Sequence, residues 1–438
     1  MASALPPEHP TFWAAVRVWI KIGLLSFGGP TGQIALMHRE LVERRRWVSD
    51  KRFLHALNFC MLLPGPEAQQ LAIYTGWLLH KIRGGLVAGI LFVLPGALLM
   101  WLIAMIYVTY GRLPVVEAIF DGLKPAVLAI VLGAVLRIGR KVLRHPALWA
   151  ISAGAFIGIY FFRVPFPWII LGAAILGWVG DKWVPAWFRV PIGHGSPGPD
   201  SSVIGDGIHA NIAPPTIWKT IGTLSLWSAI WLLPVLLCLF VFGRGNVLTE
   251  LGLFFSKAAV VTFGGAYAVL PYVAQQAVEQ HQWLTHPQMM DGLGLAETTP
   301  GPLILVLQFV GFLGGWSQPG TMPPWLMATL AAALTSWVTF VPGFLFIFTG
   351  APYIERARQM TALNAALTAV TSAVVGVILN LAVWFAIPVV FANGEGFDLI
   401  AAGFALLCFV LLQRYKWEVL GVVALGAGFG LLRWTAGF

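Results

Sequence analysis

Two lysines, Lys21 and Lys257, each stand seven residues before a Gly-Gly pair within an apolar run. Seven residues make two helical turns, so each ammonium shares a face with the glycines that follow it. The pairs belong to Phe27-Gly28-Gly29 and Phe263-Gly264-Gly265, preceded by Ser26 and Thr262. Two further interruptions follow, Pro64-Gly65-Pro66 and Pro300-Gly301-Pro302. Pro30, Pro66 and Pro302 each come after a glycine and suit the first turn of a helix. A helix starting there presents unpaired N–H groups and the positive end of its dipole, a ready anion site. The chemistry these residues can do is therefore anion binding. Lys21 and Lys257, with Arg17 one turn before Lys21, supply charge for a doubly charged oxyanion; the four breaks, with Ser26 and Thr262, supply N–H and hydroxyl groups. Leu253 stands where the second set would match Arg17, so the charge is asymmetric. The bland reading is packing kinks and lysines that snorkel to the interface.

Intramembrane acids are natural proton carriers. Glu67 directly follows Pro66, and Glu297 lies three residues before Pro300. Each either caps a half-helix or couples protons to the anion, Glu67 by competing for the site until protonated. Gln69, Gln70, Asn58, Thr298 and Thr299 are neutral candidates for hydrogen bonds to oxygen. Lys124 either joins the site or pairs with Asp121.

The elements that must position these groups are transmembrane helices. Hydrophobic residues make up 58% of the 438 and charged ones only 10%, against roughly 25% charged in a soluble domain. Apolar runs of membrane length, without alternation, predict an all-α polytopic membrane protein. They cover 84–110, 115–137, 147–162, 167–179, 218–242, 325–348, 362–387, 399–412 and 419–434. The chain also repeats itself. A shift of 236 carries Lys21 to Lys257, Phe-Gly-Gly and Pro-Gly-Pro to their second copies, Glu43 to Glu279 and Trp47 to Trp283. The expected organisation is a first repeat over 1–184, a polar cytoplasmic linker over 185–217, an extra transmembrane helix over 218–244 and a second repeat over 245–438.

Basic residues orient the two copies. From Thr31 to Arg83 there are eight Lys and Arg; from Ala266 to Pro323 there are none. Homologous loops on one side of the membrane would not differ so. Inverted copies explain the difference by the positive-inside rule, the odd extra helix supplying the inversion. The half-helices beside each break are too short to span, so 11–47 and 50–81 read as helix–break–helix hairpins that enter and leave on one side. Two inverted-topology repeats with broken, re-entrant helices is the expected fold. The cluster Arg44-Arg45-Arg46 with Lys51 and Arg52 is a cytoplasmic anchor, or concentrates anions at a vestibule.

Other classes find no support. Cys60, Cys238 and Cys408 are isolated in apolar stretches, as small hydrophobes are, and His194 and His209 fall in the linker. No metal site, cofactor, nucleic-acid partner or catalytic residue is expected, and no nucleotide-binding or hydrolase motif marks the chain as an enzyme. The amino terminus lacks the basic n-region of a cleaved signal.

Ser26–Met37 (SFGGPTGQIALM), Leu63–Trp77 (LPGPEAQQLAIYTGW) and Phe92–Gly96 (FVLPG) resemble the chromate ion transporter family. The second set, Thr262–Ala266 and Thr298–Pro302, resembles the long two-domain type of that family; Ala266 departs from it where the first copy has Pro30. The resemblance implies export of chromate from the bacterial cytoplasm across the inner membrane, driven by the proton motive force and giving chromate resistance. It implies protons as coupling ion and sulfate as a competing ligand. Transport or exchange of sulfate or another oxyanion is the alternative, a passive anion channel a further one.

Overall fold

Each break in the sequence is a turn between helices. α1 (Phe12–Leu25) starts at Thr11, whose hydroxyl accepts from the Ala14 N–H, and stops at Ser26. α2 (Gly29–His38) runs into a π-helical turn, Arg39–Arg44. α3 (Asp50–Leu62) is capped by Ser49 and ends before Pro64-Gly65-Pro66, after which α4 (Glu67–Tyr110) begins at once. α4 is two arms, because His80 and Lys81 leave helical geometry, Lys81 with φ 52°. A Cβ at Gly84 would lie 2.2 Å from the Gly76 carbonyl oxygen. Eight residues along a straight helix are about 12 Å apart, so the chain reverses. The arms are α4a (67–79) and α4b (82–110). These coordinates define residues 8–188, 202–204, 216–353, 361–391 and 396–436 of a computed structural model.

The second half repeats this order. α10 (Val247–Val261), α11 (Ala266–Gln275), a π-helical turn (Gln276–Gln280) and α12 (His286–Thr298) lie 236 residues on, to within a residue or two at each boundary. Details repeat as well. Arg46 and Gln282 both have φ 52°. The Trp47 N–H donates to the Leu41 carbonyl, and that of Trp283 to Ala277. Arg45 sits over the Trp47 ring where His281 stacks on Trp283. α13 (Val306–Ser317) and α14 (Pro324–Gly350) correspond to the arms of α4, packed through Gly311 and Gly315 against Ala331 and Thr335.

All four segments around the breaks fold back. Lys21 of α1 reaches Glu40, Phe59 of α3 meets Tyr74 of α4a, Phe254 of α10 meets Trp283, and Gly292 of α12 is filled by Phe309 of α13. In a straight broken helix these pairs would lie about 20–45 Å apart.

Between and after the duplicated hairpins come α5 (Pro114–Val142), α6 (Pro146–Tyr160), α7 (Phe166–Trp183), the single turn α8 (Pro185–Phe188), α9 (Ile217–Phe242), α15 (Thr361–Val390), α16 (Leu399–Arg414) and α17 (Val419–Thr435). They are exchanged between the halves. α5 packs against α16 and α17, while α15 packs against α6 and α7. Small residues make the contacts: Gly122 faces Gly426 and Gly430, and Gly177 faces Ala365 and Ala369. Close backbone approach is how helices gain contact where lipid removes the hydrophobic drive. Among the described residues five helices are long and apolar enough to cross a bilayer, and shorter apolar ones accompany them. The chain is an all-α polytopic membrane protein.

Most of the linker, with His194 and His209, lies outside the described residues, as do Arg189, Arg356 and Arg358. Its start and a point midway along it are anchored. Phe188 fills the space over Gly180, and Val203 and Ile204 pair with the backbone of residues 46–49. At the start of α16, Asp398 accepts from the Ile400 and Ala401 N–H groups and from Arg433 of α17, 2.7 Å away. Burial acts to raise the Asp398 carboxyl, but these donors outweigh it and hold it below the usual carboxylate value. A depressed carboxylate stabilises above its unfolded pKa of about 3.9 and stops doing so as pH falls through the folded value. Asp398→Asn is therefore expected to lower the unfolding temperature in detergent at pH 7 and to lose that difference towards pH 3, checked by thermal melts across pH.

Candidate functional site

The two halves meet where their breaks cross. The Gly65 N–H donates to the Thr262 carbonyl at 2.8 Å, and the Gly301 N–H donates to the Ser26 carbonyl at 2.8 Å. Both pairs are related by the shift of 236, so each Phe-Gly-Gly loop is pinned to the Pro-Gly-Pro loop of the other half. Gly65 and Gly301 have φ of 112° and 96°, which only glycine adopts readily. The helices beyond repeat the exchange: Gly96 of α4b abuts the Pro300 carbonyl, and Gly343 of α14 abuts Gln69 of α4a. Buried amides complete the crossing. Gln33 donates to the Gly301 carbonyl at 2.6 Å, Gln69 to Phe340 at 3.2 Å and Gln308 to Ala97 at 2.8 Å. Oε1 of Gln33, Gln69 and Gln70 is buried without a donor, acceptor capacity that water or a ligand can use.

Helix starts converge here. Pro30 lies in the first turn of α2, Pro66 immediately precedes α4a, and Pro302 precedes a single 3-10 turn, Leu303–Leu305. α11 starts at Ala266 without a proline. Phe27 and Gly28 are exposed at the rim, and Gly29, Pro30 and Phe263 are half-buried. The Glu67 carboxylate lies at the first residue of its own helix and against Gly265, which precedes α11; a Cβ there would be 2.8 Å from Glu67 Oε1. A carboxyl group thus occupies the point where two helix starts meet. Glu297 is buried and accepts a hydrogen bond from the Tyr267 hydroxyl. Burial is the dominant influence on both acids, with weaker fields from cations of α5, Lys141 at Glu67 and Arg137 at Glu297.

The lysines are placed differently from the breaks. Lys21 Nζ is 2.7 Å from Glu40 Oε1, and that buried carboxylate also takes Arg44 and Arg45. Lys257 and Arg17 project from exposed helix faces, beside Leu253 and Val260 on α10 and Ile20 and Leu24 on α1. No contact joins Lys21 to Lys257. Lys124 pairs with Asp121. The Ser26 and Thr262 hydroxyls donate to Ile22 and Ala258 one turn back, and those of Thr298 and Thr299 likewise turn to their own helix. Asn58 is exposed. Sequence reasoning missed Gln33, Gln308, Tyr267 and Arg137. Gln33 lies in the same motif as Gly28, and a polar amide in a span was the available signal.

A sequence model for a family described as chromate transporter matches residues 13–178 and 249–431, both halves of the chain. A chromate transport protein of Pseudomonas aeruginosa is 31% identical over 98% of this chain and 94% of its own length. One from Cupriavidus metallidurans is 29% identical over 92% of this chain and 88% of its own. A probable chromate transport protein of Synechococcus elongatus is 27% identical, covering 85% and 86%. No solved structure matches.

Proposed function

Since the chain belongs to the chromate transporter family, we propose that it is a secondary active exporter of chromate, moving the dianion out of the cytoplasm across the bacterial inner membrane on the proton motive force and so conferring resistance. The observation that carries the reading is the reciprocal pinning of the breaks, Gly65 to Thr262 and Gly301 to Ser26. It supports a site between two related halves, where rocking one against the other exposes the anion to each side in turn. Helix parity supports inversion. Among the described residues between α1 and α10 three membrane-length segments intervene, in α4, α5 and α9, and the hairpin α6–α7 adds an even number of crossings either way.

The helix ends and Gln33 hold the anion, with Lys257 and Arg17 adding charge and Lys21 doing so when released from Glu40. Glu67 and Glu297 link proton to anion. The electrical component favours export: a dianion leaving with one proton on Glu67 carries one net charge and gains roughly 2.3 kcal/mol per 100 mV, about a fiftyfold gradient. Sulfate, with the same charge and shape, competes.

Everted membrane vesicles are expected to accumulate chromate on energisation, to lose it on addition of an uncoupler and to be inhibited by sulfate. Uptake that never exceeds equilibrium would make the protein a channel. Sulfate accumulation without chromate uptake would assign it to the other oxyanion.

A further inference from the structure

Two cavities stand at related positions in the exchanged helices. The larger, about 420 Å³, lies between α5, the end of α16 and the start of α17. The smaller, about 170 Å³, lies between α15, the end of α6 and the turn into α7, with a further wall of Pro271, Gln275 and Glu279 from α11 and the π-helical turn after it. Shifts seen elsewhere in the chain relate them. The step of 247 that takes Gly96 to Gly343 takes Gly133 to Asn380 and Arg137 to Trp384. The turn cations Lys416 and Arg163 correspond too, with φ of 54° and 52°.

Their charges differ. The larger cavity is lined by Arg137, Arg140 and Lys416, with Gln413, Trp417 and the first residue of α17, Val419. It has no acidic lining residue, and among the described residues none of its three cations has an ion-pair partner. Glu418 stands between the lining residues Trp417 and Val419, exposed and making no side-chain cap, so one acid flanks three cations. In the smaller cavity the place of Arg137 is taken by Trp384, whose indole N–H donates to Glu279 at 3.2 Å, and Arg163 is offset by that carboxylate.

We propose that the larger cavity is a second, outer binding site for a tetrahedral oxyanion, and that the smaller is its charge-neutral counterpart on the opposite face, so that anion is captured at one mouth and not held at the other. The inference rests on the transporter reading and deepens it. On the inverted topology the basic mouth opens to the cytoplasm, the side from which an exporter must collect a dilute anion. Clefts lined by one sign of charge concentrate the opposite ion and raise association rates.

The test is a double variant, Arg140→Gln with Lys416→Gln, which spares Arg137. In everted vesicles half-saturation for chromate is expected to rise at least tenfold with maximal rate within twofold, and the effect is expected to shrink as salt is raised. Unchanged half-saturation would overturn the proposal and leave these residues as topological anchors. A second arm separates this from failure of the transport reading: equilibrium binding of labelled sulfate to purified protein in neutral-lipid nanodiscs. Weaker binding by the variant supports the site even if chromate flux is absent. Equal sulfate binding, with anionic lipid retained by the wild type and lost from the variant in mass spectra, would overturn it in favour of a headgroup site.

Discussion

Gly96→Val is expected to reduce chromate transport at least a hundredfold while the protein still inserts in the membrane. A Cβ at Gly96 would fall 2.2 Å from the Pro300 carbonyl oxygen and 2.7 Å from Leu305 Cδ1. The first contact is with backbone and cannot be relieved by a rotamer change. Overpacking of a core usually costs about 1–3 kcal/mol, and here relief means displacing Pro300. That movement pulls the Gly301 N–H off the Ser26 carbonyl and leaves both groups buried, a further cost of about 1–3 kcal/mol each. The loss is thus concentrated at the crossing. Gly343, the counterpart, meets only the Gln69 side chain at 2.8 Å, so Gly343→Ala is expected to be milder. Gly154→Val supplies the control: no atom lies within 4 Å of a Cβ there, and transport should stay within twofold. Initial uptake rates normalised to protein in the membrane decide it. Equal activity of Gly96→Val and wild type would show that the crossing is not where the anion passes.

Glu67→Gln is expected to remove most of the pH dependence of chromate affinity. At 4–6 Å and an effective dielectric of 20, a carboxylate and a dianion repel by about 5–8 kcal/mol. The two cannot share the junction of α4a and α11, so anion binding requires Glu67 neutral. Linkage then fixes the sign: adding protons raises affinity, and bound anion raises proton affinity equally. Glutamine keeps the neutral state at every pH. Half-saturation should fall at least tenfold in the wild type as pH drops through the Glu67 titration, and stay flat and low in the variant. Coincident profiles would return Glu67 to capping its helix, worth about 0.3–1 kcal/mol.

The breaks were legible because only glycine and proline interrupt an apolar run in this way, and the copies share one ungapped register. The hairpins followed from length, since half-helices of α1 and α2 are too short to span. The second hairpin's end was legible too, since 50–81 stops where the apolar run 84–110 begins, and the chain reverses at His80–Lys81. No glycine or proline marks the reversal, and Lys81 itself takes the positive φ; the signal lay in the small residues Gly76, Gly84, Gly85 and Gly89 that let the arms close. The exchange of α16 and α17 for α6 and α7 is a tertiary choice that periodicity cannot express. At the site, the lysines attracted attention by type. What no spacing rule announced is that Glu40, nineteen residues on, would reach back through a π-helical turn to take Lys21. No spacing rule marks Arg137, because what it lies near depends on α5 packing against α12.

The most direct measurement is chromate efflux from proteoliposomes holding the purified protein, with membrane potential and pH set independently on each side. Efflux that saturates, speeds up with an interior-negative potential, and responds to pH in the wild type but not in Glu67→Gln is the predicted result. Efflux no faster than from protein-free liposomes, under any potential or pH, would contradict it.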